Sequence, residues 1–248
     1  MNTWMLLAGA GFLAGAMNAL AGGGSFVTLP ALMLVGVPSV SANASSTVAL
    51  LPGSLASTWA YRADLTAMGG VSLRALMGVS LAGGFVGALL LLLTPLSVFN
   101  AFIPWLLLLA TLVFVFGPRA GQVLRRTRRI GAGPVLMAQF LLAVYGGYFG
   151  GAVGIMMMAV WSLLSPAELT TLNPAKTLLV AATNAVAVVC FIAAGKVWWP
   201  QTLALLFAAM WGGYLGARAA RYWAPRRLRM GVSILSALIT LAYFLRAP

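Results

Sequence analysis

The stretch ALMGVSLAGGFVGALLLLLTPL, residues 75 to 96, fixes the class of structure that this chain can form. It carries no charged side chain, and it meets the length of about 20 apolar residues that a helix needs to cross a bilayer. The whole chain has the same character, since 62% of its 248 residues are hydrophobic and 7% are charged. About a quarter of an ordinary soluble domain is charged. We therefore expect an all-α integral membrane protein.

Outward from this stretch, apolar runs and the breaks between them divide the chain into ten segments, two of them short. Residues 25–37 and 153–165 would rise about 20 Å, less than the hydrocarbon core of about 30 Å. Each follows a glycine break, AGGGS at 21–25 and GGYFGGAVG at 146–154. Both are predicted to be half-helices or re-entrant segments. The ten predicted segments are 4–21, 25–37, 43–61, 71–93, 98–116, 134–149, 153–165, 173–194, 200–218 and 228–245.

The opening stretch also contains one copy of a repeated motif. GGFVGA at 83–88 returns as GGYLGA at 212–217, and NASST at 43–47 returns as NPAKT at 173–177, at nearly the same offset. Motifs spaced in this way predict an internal duplication. Each half would hold five segments, an odd number, so the two copies would cross the membrane in opposite directions. The predicted parts are a first inverted repeat at 1–118, a basic cytoplasmic linker at 119–132 and a second inverted repeat at 133–248.

The basic residues predict the orientation of these segments. The chain has 15 Lys and Arg but only 2 Asp and Glu. Most basic residues lie in short loops, where the positive-inside bias places them, so we expect no nucleic-acid partner. The strongest cytoplasmic loops are RRTRR at 125–129 and RAARYWAPRRLR at 218–229. Placing both inside leaves Lys196 and the two termini outside. The first apolar stretch lacks the features of a secretory signal and is expected to remain in the mature chain.

Inverted repeats with short, glycine-interrupted segments are typical of transporters whose site lies near the middle of the membrane. The first N–H groups of a helix that follows such a break lack intrahelical partners and carry partial positive charge, which favours anions. Tight helix packing through small residues is the alternative interpretation of these glycines. The glycine breaks therefore make Gly22, Gly23, Gly24, Gly150 and Gly151 candidate site residues.

Lys176 is a charged residue near the start of a segment that otherwise reads as a buried helix. A charge within a membrane helix costs about 2.5 to 3.5 kcal/mol on insertion scales, so it normally faces a partner or a cavity. Snorkelling to the cytoplasmic interface is one interpretation, and contact with an anionic substrate is the other. We favour substrate contact, because the matching residue of the first half, Ser46, is also polar. Asn184 lies on nearly the same helix face and corresponds to Ser54.

The residues that the chain lacks exclude other classes of function. It has no His, and its only carboxylates, Asp64 and Glu168, fall in predicted cytoplasmic loops. A buried proton relay is therefore not expected. The sequence also lacks a Ser/His/Asp set, a metal-ligand cluster and a phosphate-binding loop. We expect no enzyme activity, no cofactor and no metal site.

Six stretches of the chain carry a family resemblance: GAMNALAGGGSFVTLPALMLVGVP at 15–38, NASSTVALLPGS at 43–54, YGGYFGGAVGI at 145–155, NPAKTLLVAATN at 173–184, GKVWW at 195–199 and GARAARYWAPRRLR at 216–229. Through them the chain resembles the sulfite exporter TauE/SafE family of membrane proteins over nearly its whole length. The resemblance implies export, or in some members uptake, of anions such as sulfite, sulfoacetate or related organosulfonates across the bacterial inner membrane. It also implies roles for polar residues at two helix starts, Asn43, Ser45, Ser46 and Thr47 in one half and Asn173, Lys176 and Thr177 in the other.

The sequence thus predicts an inner-membrane transporter that exports a small sulfur-containing anion by alternating access, with both termini periplasmic. Uptake of such an anion, transport of another small carboxylate or metal-bound anion, and a non-transporting scaffold or assembly factor remain alternatives. The expected partners are the anion and the lipid bilayer, while the coupling ion and homo-oligomerisation stay open. The predicted substrate-binding residues are Gly22, Gly23, Gly24, Ser25, Asn43, Ser45, Ser46, Thr47, Gly150, Gly151, Asn173, Lys176, Thr177 and Asn184.

Overall fold

The computed structural model describes residues 2–20, 23–65, 70–123, 131–164, 169–219, 234, 237–241 and 244–245. This part of the chain is built from nine α-helices and their connections, together with helical residues that fall in the tenth predicted segment. The helices are α1 (Thr3–Leu20), α2 (Ser25–Leu34), α3 (Ser39–Ala60), α4 (Leu73–Leu93), α5 (Leu96–Val123), α6 (Ala132–Tyr148), α7 (Val153–Leu164), α8 (Leu169–Ala193) and α9 (Trp199–Ala219).

Within the described residues, three helical stretches are long and apolar enough to cross a membrane, Leu73–Leu93, Leu96–Val113 and Thr171–Ala193. Large apolar side chains on the first two of these helices point outward; Leu93 and Trp105, for example, are 78% and 62% exposed. Exposed apolar side chains favour an apolar surrounding over water, so these surfaces suit contact with lipid tails. The structure confirms the predicted class, an all-α integral membrane protein.

The two short segments form short helices. α2 has 10 residues and α7 has 12, so at about 1.5 Å per residue each spans about 15 to 18 Å and cannot cross the hydrocarbon core. Gly23, before α2, has a φ of +135°, and Gly150, before α7, has a φ of +74°. Glycine adopts such left-handed conformations without strain, which lets the chain turn sharply into each short helix.

Two close helix pairs, α1 with α9 and α4 with α6, hold the molecule together. A Cβ atom added at Gly212 would overlap the carbonyl oxygen of Phe12, and one added at Gly83 would lie 2.7 Å from that of Phe140. Gly83 and Gly212 are counterparts in the predicted duplication. Each pair thus meets at a glycine set against a carbonyl oxygen of the partner helix, and the two glycines are ones that the predicted duplication pairs.

The centre of the fold is formed by α3 and α8, which pack against each other. α3 also contacts α2 and α9, while α8 contacts α4 and α7. Every residue from 39 to 50 of α3 is buried, although several of them are polar. The polar motif at 43–47 that the sequence singled out therefore lies inside the protein rather than against lipid.

Candidate functional site

A cavity of about 360 Å³ lies along α3 and α8, between the starts of the two short helices. α1 contributes one residue, Asn18, from near its end. The volume of the cavity is within the usual range for a small-molecule site. The lining residues are Asn18, Gly23, Ser25, Thr47, Leu50, Ser54, Ser57, Tyr61, Gly150, Ala152, Val153, Gly154, Ile155, Asn173, Lys176, Thr177, Val180 and Asn184.

One wall of the cavity is a single face of α3. Thr47, Leu50, Ser54, Ser57 and Tyr61 line it, at alternating spacings of three and four residues. Residues so spaced lie above one another on one side of a helix. Four of the five carry a hydroxyl group, so this helix presents a strip of hydroxyls to the cavity.

The facing wall belongs to α8 and follows the same periodicity. Asn173, Lys176, Thr177, Val180 and Asn184 line it. Because Thr47 and Thr177, and likewise Ser54 and Asn184, are counterparts in the predicted duplication, both copies supply polar groups to one space. If the chain is divided as the sequence predicts, the cavity draws polar residues from both halves, an arrangement typical of transporters built from inverted repeats.

The starts of both short helices form the floor of the cavity. Gly23 and Ser25 come from the start of α2, and Val153 and Gly154 from the start of α7. The first turn of a helix carries backbone N–H groups without intrahelical acceptors, equivalent to about half a positive charge. Both ends therefore favour a negatively charged ligand.

Lys176 supplies the full positive charge of the cavity. It is the eighth residue of α8, so it lies two turns inside the helix rather than at its tip. Its aliphatic stem passes beside Gly154, where an added Cβ would be 3.4 Å from the Lys176 Cδ atom. No carboxylate is among the lining residues, and no ion-pair or hydrogen-bond partner of its ammonium group is found within the described ranges. An anion in the cavity would balance this charge.

Three hydroxyl groups of the cavity donate hydrogen bonds to carbonyl oxygens of their own helices. Thr47 Oγ1 donates to the Asn43 carbonyl and Thr177 Oγ1 to the Asn173 carbonyl, each at 2.9 Å. Ser57 Oγ donates to the Gly53 carbonyl at the same distance. A hydroxyl proton is free to rotate, so each group can turn from its carbonyl to an anion that enters the cavity.

Asn184 presents an unsatisfied amide to the same space. Its Oδ1 atom is buried and has no hydrogen-bond partner among the residues that the structure describes. Buried polar atoms are usually paired, and an unpaired one calls for an explanation. Rotation of the amide by about 180° exchanges Oδ1 for the Nδ2 donor, so the side chain can donate to an anion beside Lys176.

Eight of the fourteen predicted site residues line the cavity, and five others that the structure describes do not. Gly24 and Gly151 pack closely, against the Ala14 carbonyl and the Phe149 ring respectively. The side chain of Ser46 forms a hydrogen bond with Thr28. Gly22 lies outside the described residues. The cavity residues of the predicted set are Gly23, Ser25, Thr47, Gly150, Asn173, Lys176, Thr177 and Asn184.

The remaining two predicted residues contact the opposite half of the protein. Asn43 Nδ2 donates to the carbonyl of Tyr148 at 2.9 Å. Ser45 Oγ accepts a hydrogen bond from the backbone N–H of Trp198 at 3.0 Å. Both side chains therefore connect α3 to backbone atoms later in the chain, at Tyr148 and Trp198, and neither side chain lines the cavity.

The predicted site set lacks four polar residues of the cavity, Asn18, Ser54, Ser57 and Tyr61. Periodicity could have found three of them, since Ser54, Ser57 and Tyr61 continue the helical face begun by Thr47. Asn18 is an isolated amide in an apolar helix, a position where a polar side chain normally faces a partner or cavity.

Comparison with known proteins gives a consistent family assignment. Residues 7–243 match the family model described as Sulfite exporter TauE/SafE. The chain is 28% identical over 229 residues to the probable membrane transporter protein YfcA of Escherichia coli K12, covering 92% of this chain and 84% of that protein. A probable membrane transporter protein of Haemophilus influenzae is 25% identical over 233 residues, with 93% and 90% covered. No solved structure matches the chain significantly.

Proposed function

Because the chain belongs to the sulfite exporter TauE/SafE family, we propose that it exports a small sulfur-containing anion, such as sulfite, sulfoacetate or a related organosulfonate, through the cavity between α3 and α8. The relatives are named as probable membrane transporters, which favours transport over catalysis. The proposal places the protein in the bacterial inner membrane, with alternating exposure of the cavity to the two sides.

The observation that carries this proposal is the unbalanced charge of Lys176. It faces a cavity whose lining, in the part of the chain that the structure describes, includes no carboxylate, and it lies between two helix N-termini and a strip of hydroxyls. Each of these groups interacts favourably with an oxyanion, which must lose water on entering the cavity. A cationic substrate would be repelled there, and a fully apolar one would leave the ammonium group without a partner.

The membrane potential is the simplest driving force for export. The chain has no His and only two carboxylates, so it offers few groups for a proton relay. A potential of 100 mV, negative inside, favours outward movement of a monoanion by about 2.3 kcal/mol, equivalent to a gradient of about fiftyfold. No coupled ion is then required.

Efflux from proteoliposomes tests the proposal. Vesicles loaded with sulfite or sulfoacetate would be given a potassium-diffusion potential, and anion release would be followed with time. We expect release to accelerate when the interior is negative and to respond little to a pH gradient. Release that follows the pH gradient and ignores the potential would contradict uncoupled export.

Two further outcomes separate the alternatives. Accumulation of external anion against the potential would identify an uptake carrier that uses another driving force. The absence of flux for sulfite, sulfoacetate, thiosulfate and small carboxylates, in vesicles with correctly inserted protein, would favour a non-transporting scaffold.

A further inference from the structure

The cavity is closed at one end of α3 and open toward the other. Residues 39–50, at the start of α3, are all buried, whereas Tyr61, just beyond its end, lines the cavity and is 40% exposed. On α8 the order is reversed: Asn173, in its second turn, lines the cavity, and Ala187, near its end, is completely buried. The structure therefore represents one of the two states that alternating access requires.

Two hydrogen bonds cross between the halves at the closed end. Asn43 Nδ2 donates to the Tyr148 carbonyl at 2.9 Å, and Ser45 Oγ accepts from the Trp198 N–H at 3.0 Å. Tyr148 is the last residue of α6. The last carbonyl groups of a helix receive no hydrogen bond from N–H groups of the same helix. The Asn43 amide thus caps α6 of the second half from α3 of the first.

The predicted duplication supplies a counterpart for each partner in this bond. Asn43 matches Asn173 in the paired motifs NASST and NPAKT. Tyr148 ends α6, and Leu20 ends α1. The two carbonyls that face glycine, those of Phe140 in α6 and Phe12 in α1, are 128 residues apart in the chain. Tyr148 and Leu20 are separated by the same number of residues.

We propose that Asn43 and Asn173 are alternating latches, one for each end of the cavity. In the present state Asn43 holds its end closed through Tyr148, while Asn173 faces the cavity. When the open end closes, Asn173 Nδ2 donates to the Leu20 carbonyl, and the bond from Asn43 to Tyr148 breaks. This inference rests on the proposed transport function and on the predicted duplication, and it gives Asn43 a role distinct from substrate binding.

The exchange keeps the two states close in free energy, as a carrier needs, because each state has one latch bond made and one open. Removal of either amide should disturb this balance in a known direction. A net intramolecular hydrogen bond changes an equilibrium by roughly three- to tenfold. Asn43→Ala should therefore favour opening of the closed end by that factor, and Asn173→Ala should favour the state described here.

Cysteine accessibility measures both directions. In a Cys190→Ser background, Ser57→Cys reports the end that is now open, and Ala187→Cys, at its counterpart position, reports the end that is now closed. Labelling rates would be measured with a membrane-impermeant maleimide added to either side of oriented vesicles without substrate. We expect Asn43→Ala to raise labelling of the Ala187→Cys reporter and to lower that of the Ser57→Cys reporter. Asn173→Ala should do the reverse.

Asn100→Ala is the matched control, because Asn100 is an exposed asparagine of α5 outside the cavity. Opposite shifts in the two latch variants, with none in the control, support the proposal. Shifts in the same direction, or unchanged labelling in variants that elute as folded protein, overturn it. Labelling is read without substrate, so a protein that shows these shifts but moves no sulfite would contradict the proposed substrate and leave the latches in place.

Discussion

At the scale of single residues, the charge of Lys176 is the feature on which function should depend most. Lys176→Met keeps most of the length of the side chain and removes its charge. We expect sulfite efflux from proteoliposomes to fall by about tenfold or more, since hydrogen bonds to charged groups contribute about 1.5 to 3 kcal/mol. Lys176→Arg should retain part of the activity with altered selectivity, because the guanidinium is a planar fork.

Lys196→Met is the control for that prediction. Lys196 is exposed in the loop before α9 and is not a cavity residue, so the variant loses the same charge elsewhere. Wild-type efflux in Lys176→Met would assign this lysine to the membrane interface, the snorkelling interpretation.

Asn184 allows function and stability to be separated. Its buried Oδ1 lacks a partner among the described residues, so Asn184→Leu removes an unsatisfied polar atom. Such replacements are often neutral or stabilising. We expect thermal unfolding in detergent at the same or a higher temperature, together with weaker protection by sulfite. A fall in unfolding temperature larger than that of Asn100→Leu would show that the amide is structural instead.

The sequence predicted part of this site at residue level. Lys176, Thr177 and Asn184 follow one helix face, and periodicity is enough to place them together. Asn43 belongs to an equivalent motif but lies at the closed end, bonded to Tyr148. A repeat identifies which residues are equivalent, whereas the conformational state determines which copy faces the cavity, and no sequence pattern encodes that state.

At the scale of helices, the approach of α4 to α6 depends on glycine. A Cβ at Gly87 would overlap the carbonyl oxygen of Val144, whereas nothing lies within 4 Å of one at Gly78 in the same helix. Gly87→Ala should therefore lower the free energy of unfolding by about 1 to 3 kcal/mol. Gly78→Ala should be neutral or slightly stabilising, because alanine favours helix over glycine by about 0.5 to 1 kcal/mol.

Thermal unfolding of both variants in one detergent checks this contrast. Equal stabilities of the two variants would mean that α4 and α6 can move apart without a loss of free energy. The close contact between these helices would then not stabilise the protein.

The sequence predicted which segments form helices more accurately than it predicted the residues at which those helices begin. α3 begins at Ser39 and α8 at Leu169, each four residues before the predicted segment. The prediction began each segment at its polar motif, taking the residues before it as loop. Ser39 and Ser41 are nevertheless buried within the protein. A polar residue can continue a membrane helix where protein, rather than lipid, surrounds it.

At the scale of the whole molecule, the orientation in the membrane remains a prediction from basic loops. In a Cys190→Ser background, a cysteine introduced within residues 125–129 should react only from the cytoplasmic side, and Lys196→Cys only from the periplasmic side. Labelling of the 125–129 loop from the periplasm would contradict the inverted-repeat topology. The control is a cytoplasmic marker that stays unlabelled in intact cells.

The class of the fold was predictable because lipid leaves the backbone few choices, and long apolar stretches must form helices there. The cavity was predictable only in part. Its residues come from α1, α2, α3, α7 and α8, and their distances in space depend on tertiary packing that local patterns do not record.

The internal hydroxyl bonds of the cavity have a consequence for turnover. Thr47, Ser57 and Thr177 already donate to carbonyls of their own helices, so these donors stay satisfied when no anion is present. Loss of an anion therefore leaves none of these three hydroxyl groups without an acceptor, whereas the Lys176 ammonium loses the charge that balances it. If the cavity alternates as proposed, an unloaded return carries that unbalanced charge, so we expect efflux to be faster with an exchangeable anion on the far side than into a medium free of anion.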